Sequence, residues 1–139
     1  MRTVRDDEGT RYVLLKESGE SSLVRDPETG EEQYLPNDEL VAAGDPPLAL
    51  SARRVPEPTR RLLTAVRSER ALGVLLELDE RGPLSVRTVL GEYDLCESDL
   101  HGLFGEFQAA GLVAETEVDG ERGYRLTDRG REGLAALRA

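Results

Sequence analysis

One run of apolar residues constrains the fold of this chain more than any other feature of its sequence. Four apolar side chains stand at positions i, i+3, i+4 and i+7 of this run: Leu100, Leu103, Phe104 and Phe107. That spacing places them on one face of an α-helix. Ser98 stands before the run as the expected N-cap, and Gly111 is expected to end the helix in the left-handed conformation.

The residues before this helix predict a second, shorter helix. Gly82-Pro83-Leu84-Ser85 breaks the chain, and Ser85 can cap a helix over Val86–Glu92. Tyr93-Asp94-Leu95 is then expected to form the turn into the helix that contains Leu100. The chain is therefore predicted to run helix, turn, helix over this region.

A β-hairpin is predicted to follow. Asp119–Gly123 has the composition of a hairpin tip, with glycines where a positive φ is needed, between expected strands at Leu112–Val118 and Tyr124–Thr127. A short C-terminal helix is expected from Asp128. The apolar residues of these elements predict one core: Leu72, Leu75, Leu76, Val89, Leu100, Leu103, Phe107, Leu112 and Leu126.

Residues from about Arg70 to the C-terminus resemble the winged helix-turn-helix of small prokaryotic regulators of the ArsR, MarR and PadR kind. The motifs that carry the resemblance are Ala71-Leu72-x-x-Leu75, Gly82–Val86, Leu95–Val113 and Gly123–Gly130. They are patterns of apolar and turn residues, and they cover roughly half of the chain.

The resemblance implies an α+β protein whose C-terminal winged helix-turn-helix acts as a homodimer on duplex DNA and regulates transcription. In such families the C-terminal helix often lies at a dimer interface. Leu134 and Leu137, which are three residues apart, are therefore expected to contribute to that interface. The sequence indicates neither an effector ligand nor an operator.

The N-terminal part is predicted to be a small antiparallel three-stranded β-meander. Its strands are expected at Arg11–Lys16, Ser22–Arg25 and Glu31–Leu35, and the Pro-containing turn Asp26–Gly30 joins the last two. Few apolar residues are available to these strands. The sheet is therefore expected to dock on the winged helix or on a second protomer.

The sequence thus predicts three segments. Residues 1–36 form the β-meander, residues 37–58 form a Pro-rich connector with at most one or two helical turns, and residues 59–139 form the winged helix-turn-helix domain with its C-terminal helix. A helix at about Thr59–Arg67 is expected to open the last segment.

The composition of the chain is strongly acidic. It has 28 Asp and Glu against 18 Lys and Arg, a net charge of -10, and Lys16 is its only lysine. This composition resembles that of proteins from salt-in halophiles such as haloarchaea, in which an acidic, hydrated surface keeps a protein soluble in molar salt. The alternative is a high-GC genome combined with an ordinary acidic domain.

The sequence offers little for catalysis or cofactor chemistry. Its one cysteine and one histidine, Cys96 and His101, provide neither a disulfide framework nor the usual ligand count of a zinc site. We therefore expect no enzyme activity, no metal and no cofactor. No apolar run approaches ~20 residues and no signal-peptide core is visible, so a cytoplasmic protein without membrane association is expected.

The side of the predicted helix that faces away from its apolar residues is almost free of long side chains. It carries Ser98, Gly102, Gly105 and Ala109, with His101 and Gln108 beside them. In the resembling families this face enters the major groove, where Arg, Lys, Asn or Gln must reach base edges. From Ser85 to Gly111 the chain has one arginine and five acidic residues, a net charge of -4. Its two glycines are either tolerated on a solvent face or allow a partner to approach closely.

Two groups of arginines are the expected phosphate contacts. Arg122 and Arg125 belong to the predicted hairpin, and Arg60, Arg61 and Arg67 belong to a basic stretch that ends at Arg70. This stretch could instead pair with the acidic N-terminal part, an alternative that the sequence slightly favours. The leading prediction is a dimeric DNA-binding transcription regulator. The alternative is a winged-helix protein-protein interaction module that does not read DNA and seats its partner at Gly102 and Gly105.

Overall fold

The computed structural model describes all 139 residues and shows a mixed α+β protein, as the sequence predicts. Its strands form two antiparallel sheets, one of five strands and one of three. The chain divides into two compact units, Met1–Pro56 and Glu57–Ala139. The five-stranded sheet belongs to the N-terminal unit and the three-stranded sheet to the C-terminal unit.

The sheet of the N-terminal unit has two more strands than the predicted three-stranded meander. Its strands are β1 (Arg2–Arg5), β2 (Arg11–Glu17), β3 (Ser21–Arg25), β4 (Glu32–Pro36) and β5 (Val41–Ala43). They are ordered β4-β3-β2-β1-β5, and each neighbouring pair is antiparallel. The three predicted strands correspond to β2, β3 and β4, so the expectation of a three-stranded sheet is wrong in its extent.

The two additional strands are too short to show an alternating pattern in the sequence. In β1, Thr3 and Val4 are both buried, although their side chains point to opposite faces of a strand. In β5, three small or β-branched residues are partly or fully exposed. The two strands pair with each other, with Val4 opposite Ala42. Strands of this length are defined by their neighbours, because strand propensity depends strongly on context.

Residues 37–58, expected as a connector, contain further short elements besides β5. The helix α1 spans Pro47–Ser51, and two 3-10 turns span Asn37–Glu39 and Ala52–Arg54. Pro47 occupies the first position of α1, where a missing N–H costs no helical hydrogen bond. Leu50 of α1 is buried, and α1 packs against β1 and β2. This segment therefore contributes to the packing of the N-terminal unit.

The C-terminal unit contains five helices and a sheet of order β6-β8-β7. In chain order its elements are α2 (Glu57–Ala65), α3 (Glu69–Arg81), β6 (Leu84–Ser85), α4 (Val86–Glu92), α5 (Glu97–Ala109), β7 (Val113–Val118), β8 (Glu121–Leu126) and α6 (Asp128–Arg138). The boundaries of α4 are those predicted, and its cap is confirmed, because the Ser85 hydroxyl accepts a hydrogen bond from the Thr88 N–H at 3.1 Å.

One apolar core lies inside this unit. Phe104 and Phe107 of α5 are fully buried, and Phe104 stacks on Tyr124 of β8 with ring centroids 4.2 Å apart. Three of the predicted core residues lie at the edge and are only partly buried: Leu72, Leu76 and Leu103. The other predicted core residues are buried, which confirms the predicted phase of α5.

The N-cap of α5 is Cys96, and the predicted Ser98 cap is therefore wrong. The Cys96 thiol accepts a hydrogen bond from the Asp99 N–H, and the Asp99 carboxylate accepts one from the Cys96 N–H, both at 3.5 Å. Ser98 lies inside the first turn instead. Cysteine is not among the preferred N-cap residues, which is why the sequence points to the serine.

The other end of α5 and the hairpin after it follow the predicted order with one correction. Gly111 has a φ of 74°, and the Leu112 N–H donates back to the Phe107 carbonyl at 2.9 Å, which ends the helix as predicted. The hairpin tip is only Asp119-Gly120, both with positive φ. Gly123 lies inside β8, where a Cβ would stand 2.5 Å from the Leu84 carbonyl oxygen of β6. Close strand approach, and not a positive φ, requires glycine there.

One of the two leucines of the C-terminal helix α6 that were expected at a dimer interface is not available for it. Leu134 is fully buried in the core of its own unit, where α6 packs against α2. Leu137 is 46% exposed. The expectation that both leucines face a second protomer is therefore wrong for Leu134.

Candidate interaction face of helix α5

The residues of α5 that the sequence predicts as contacts lie together on its exposed face. They are Ser98, His101, Gly102, Gly105 and Gln108, and all five are exposed. The opposite side is held in the core by Leu100, Phe104 and Phe107. We call the exposed set, together with the exposed Ala109, the α5 face.

The two glycines of the α5 face are not required by the packing of the chain. A Cβ placed on Gly102 or on Gly105 would meet no atom within 4 Å. Neither residue has a positive φ. Glycine inside a helix costs about 0.5–1 kcal/mol relative to alanine. The α5 face therefore carries two glycines that destabilise the helix and that neither the packing nor the backbone conformation requires.

The carboxylates of α5 hold two neighbouring arginines. The Arg70 guanidinium donates to Asp99 at 2.7 Å, and Arg67 pairs with Glu106 at 3.3 Å. Both arginines come from the segment where α2 ends and α3 begins. The two pairs line a cleft of about 370 Å³ between this segment and α5, and Gly102 forms part of its wall. The cleft is thus edged by neutralised pairs and has no excess of positive charge.

Asp99 has a structural role as well as an ionic one. Hydrogen bonds with Cys96, followed by the hydrogen bond from Arg70, lower the pKa of the Asp99 carboxyl below its ordinary value. A carboxylate in the first turn also interacts favourably with the helix dipole. The negative charge at the start of α5 is therefore built into the helix, where it would repel an incoming phosphate.

The arginines of α2 do not join the α5 face as a group. Arg61 forms an ion pair with Glu57 of the same helix at 3.4 Å, and Glu57 also forms an ion pair with Arg129 of α6 at 2.9 Å. Arg60 is half-buried and has no carboxylate within 4.0 Å. Of the three predicted contacts Arg60, Arg61 and Arg67, only Arg67 reaches α5, and it lies beyond the end of α2 at Ala65. The partners of this basic stretch are thus carboxylates of the C-terminal unit, whereas the sequence slightly favours the N-terminal part.

The predicted arginines of the hairpin are both in β8 and differ in their surroundings. Arg122 pairs with Glu115 on the neighbouring strand at 2.7 Å and donates to the Tyr124 hydroxyl at 3.1 Å. Arg125 has no carboxylate within 4.0 Å and donates only to the Leu126 carbonyl, at 3.4 Å. Of the two, Arg125 is the one whose charge is not already matched by a carboxylate.

Sequence comparison places the chain in a family. A family model matches residues 1–138 and is described as a family of unknown function, DUF7346. The chain belongs to DUF7346. Neither a curated protein nor a solved structure matches it. The DUF7346 match spans both compact units, so the N-terminal sheet is part of the family's architecture.

The remaining chemistry-bearing side chains of this DUF7346 chain are dispersed. Cys96 is an exposed free cysteine with its sulfur 3.3 Å from the Ser98 hydroxyl, and His101 is exposed one turn further along α5. No three His, Cys, Asp or Glu residues are grouped so as to hold a metal ion. None of the helices has the length and apolar character needed to cross a membrane.

The residues missed by sequence reasoning are the carboxylates that neutralise the arginines. Asp99 and Glu106 are visible in the sequence as acidic residues beside the α5 face, and Arg70 as part of a basic stretch. Arg70 and Asp99 are 29 positions apart in the sequence, and Arg67 and Glu106 are also far apart, so no local pattern contains either pair. The same holds for Arg87 of α4, which pairs with Glu121 of β8 at 3.4 Å.

Proposed function

We propose that the C-terminal unit is a winged helix that uses the α5 face to bind another protein and does not read DNA. The order of its elements supports the winged-helix part of the proposal: α3, β6, α4 and α5 are followed by the hairpin of β7 and β8. The short strand β6 pairs with β8, with Leu84 opposite Tyr124. This order and pairing agree with the resemblance inferred from the sequence.

The main observation in favour of protein binding is that α5 contains neither arginine nor lysine. Sequence reading in the major groove depends on side chains that reach base edges, above all arginine and lysine, and phosphate contacts depend on cations. The first turn of α5 instead carries Glu97 and Asp99, and Glu106 follows further along. A duplex docked on this face would place its phosphates against carboxylates.

The neighbouring arginines do not compensate for this charge. Exposed ion pairs contribute only about 0–1 kcal/mol, so a phosphate could displace a carboxylate from Arg67 or Arg70. Each exchange would leave Glu106 or Asp99 unpaired beside the phosphate. Salt weakens this repulsion by screening it, and screening supplies no attraction.

The shape of the α5 face fits a protein helix. Ser98 and Gly102 are four residues apart, as are Gly105 and Ala109, so small side chains follow one another on the same side of α5. Small residues at such spacing let the backbones of two helices approach closely. His101 and Gln108 stand beside this strip and can hydrogen-bond a partner.

Replacing the two glycines of the α5 face by residues with large side chains tests the proposal. We expect the Gly102→Arg/Gly105→Arg variant to fold and to lose a protein that co-purifies with the wild-type chain. The matched control is Gly91→Arg in α4, an exposed helical glycine whose Cβ would also meet open space. The co-purifying protein is then purified separately and titrated against the three chains. A complex that the double variant forms as well as the wild type rules out the α5 face as its site.

DNA binding is the second candidate, and two observations favour it. Arg125 of β8 has no carboxylate partner, and Ser98, His101 and Gln108 expose polar groups on the helix that would enter the groove. Under this alternative the Gly102→Arg/Gly105→Arg variant gains DNA affinity, because the new cations face the groove and steepen the salt dependence. Under the protein-binding proposal the variant gains only the weak, non-specific affinity that any added cations confer.

A further inference from the structure

The strand β4 forms one edge of the five-stranded sheet and lies open to solvent. It stands at the end of the order β4-β3-β2-β1-β5, so it has a neighbouring strand on one side only. All of its residues except Leu35 are exposed, and Tyr34 is 59% exposed. An uncovered edge strand offers its free backbone N–H and C=O groups to another strand.

Two hydrogen bonds show which backbone groups of β4 are free. The Asp26 N–H donates to the Glu31 carbonyl at 2.8 Å, and the Asn37 N–H donates to the Glu20 carbonyl at 2.9 Å. These pairs bracket β4 in one continuous antiparallel register with β3. Opposed residues of such a ladder alternate between pairs that exchange hydrogen bonds and pairs that do not. The odd-numbered residues of β4 therefore bond to β3, and the N–H and C=O groups of the even-numbered residues point away from the sheet.

The outward groups of β4 are complementary to those of an identical strand. Glu32 and Tyr34 each offer an N–H and a carbonyl, whereas Pro36 offers only a carbonyl because proline has no N–H. In an antiparallel pair of two β4 strands with Tyr34 at the two-fold axis, the two Tyr34 residues exchange a pair of hydrogen bonds. Each Glu32 N–H then meets the Pro36 carbonyl of the other copy. The missing N–H of Pro36 stays at the outer end of the pairing.

The positions of the carboxylates favour this register. With Tyr34 at the axis, Glu32 stands opposite Pro36 of the other copy, and the two Glu32 residues lie roughly 13 Å apart along the pair. An axis at Gln33 would bring the two Glu32 residues to diagonal positions about 7–8 Å apart, where their charges repel. Arg25 of β3 pairs with Glu32 at 3.4 Å, so each carboxylate already has a cation in its own copy. The axis at Tyr34 also places two exposed rings side by side, which is a favourable cross-strand pair.

We propose that β4 pairs with β4 of a second copy of this chain and joins the two five-stranded sheets into one. The contact is closed, because each copy uses the same edge and no further copy can add there. The opposite edge, β5, has only three residues and offers a shorter match to β4. The pairing lies in the N-terminal unit, so it stands independently of the function proposed for the α5 face.

Sedimentation equilibrium of the full chain in about 2 M sodium chloride tests this contact, because salt screens the repulsion between copies that each carry a net charge of -10. Tyr34→Pro and Glu32→Pro each remove an outward N–H that β4 does not use within its own copy. We expect the wild type to form a dimer, and each variant to stay folded and dimerise at least about tenfold more weakly. Leu48→Ser is the control. It removes an apolar side chain of α1 that is 77% exposed, and we expect the dimer to stay intact.

Gln33→Pro provides a contrast on the same strand. The Gln33 N–H points toward Val24 of β3 in the same copy, so its loss breaks a bond inside the sheet. We expect this variant to lower the melting temperature measured by circular dichroism, and the two outward variants to leave it nearly unchanged.

Cross-linking locates the contact directly. Residues of a hydrogen-bonded antiparallel pair have Cα atoms about 5.5 Å apart, which suits a disulfide bond. We expect an added oxidant to join two copies of a Tyr34→Cys/Cys96→Ser variant covalently. We expect no such product from Val41→Cys/Cys96→Ser, whose cysteine lies on the opposite edge strand β5.

Three results would overturn the proposal. One is a wild-type chain that remains monomeric at every concentration. Another is a dimer that the folded Tyr34→Pro and Glu32→Pro variants form as tightly as the wild type. The third is a dimer in which Tyr34→Cys does not cross-link, because the contact then lies elsewhere. If both proline variants fail to fold, the cross-link alone decides.

Discussion

The glycines of the C-terminal unit fall into two groups that differ in what surrounds them. A Cβ at Gly123 would lie 2.5 Å from the Leu84 carbonyl oxygen, and a Cβ at Gly133 would lie 2.8 Å from the Pro58 carbonyl oxygen. At Gly102 and Gly105 a Cβ would meet nothing within 4 Å. Close packing thus requires glycine at Gly123 and Gly133, whereas packing does not require glycine at Gly102 and Gly105.

Alanine substitution should therefore have opposite effects in the two groups. We expect Gly123→Ala to lower the free energy of unfolding by about 1–3 kcal/mol, because β6 must move away from β8. We expect Gly105→Ala to raise it by up to about 1 kcal/mol, because the helix gains propensity at no steric cost. Urea unfolding measures both changes. Effects of the same sign would contradict the distinction.

Phe107 is the residue on which the placement of the α5 face most depends. It is fully buried and meets Phe104 edge to face, with ring centroids 5.8 Å apart. We expect Phe107→Ala to destabilise the protein by about 3–5 kcal/mol, since truncation leaves a cavity between α5 and the core. The exposed neighbour Gln108 provides the control, because Gln108→Ala removes no buried surface. A melting temperature unchanged by Phe107→Ala would show that the phase of α5 is wrong.

At the scale of elements, α5 is distinguished by the acidic capping of its first turn. Because the pKa of Asp99 is lowered from its ordinary value of 3.8, the ionised carboxylate stabilises the folded state. That contribution is fully present above the ordinary pKa and is lost as the pH falls through the lowered pKa. We expect the acid-induced loss of stability to be smaller in Asp99→Asn than in the wild type. Unfolding measured from about pH 6 down to about pH 2 tests this difference. Equal pH dependence in the two chains would contradict it.

The elements that the sequence predicts are those defined by local signals. Ser85 before an apolar helix fixes the start of α4, the i, i+3, i+4, i+7 spacing fixes the buried side of α5, and Asp119-Gly120 fixes the hairpin tip. The strands β1, β5 and β6 have two to four residues each and exist through pairing with distant segments. Their sequences contain too few positions for a period to appear.

The features of the candidate site also divide into those that a local sequence pattern predicts and those that depend on distant segments. The exposure of Ser98, Gly102 and Gly105 follows from the helix period, so the sequence predicts it. The pairing of Arg70 with Asp99 depends on how the start of α3 lies against α5, and a local pattern cannot contain it. The α5 face was therefore predictable, whereas the neutral charge along its cleft was not.

For the whole molecule, the acidic composition predicts a dependence on salt. A net charge of -10 on 139 residues destabilises the compact state through self-repulsion, and salt screens that repulsion. We expect the melting temperature to rise when sodium chloride is increased from about 0.1 M to about 2 M, over which the screening length shortens several-fold. A melting temperature that falls over this range would contradict the interpretation that the acidic composition is an adaptation to high salt.

The division of the chain into two compact units predicts that the C-terminal unit can fold by itself. The core of the C-terminal unit is formed by residues of that unit, from Leu62 to Leu134. We therefore expect residues 57–139 to fold without the N-terminal unit and to unfold in one cooperative transition. Circular dichroism melting of this fragment measures that transition. A fragment without a cooperative melt would show that its core is incomplete.

Equilibrium binding of the whole wild-type chain to duplex DNA tests most directly whether α5 reads DNA. Fluorescence anisotropy of a labelled random-sequence duplex is followed at salt concentrations from about 0.05 M to about 1 M, because phosphate contacts make affinity fall linearly with the logarithm of salt concentration. We predict no saturable binding at micromolar protein at any salt concentration, since the α5 face carries no cation. Saturable binding with that linear salt dependence, weakened by Arg125→Ala, would contradict the prediction.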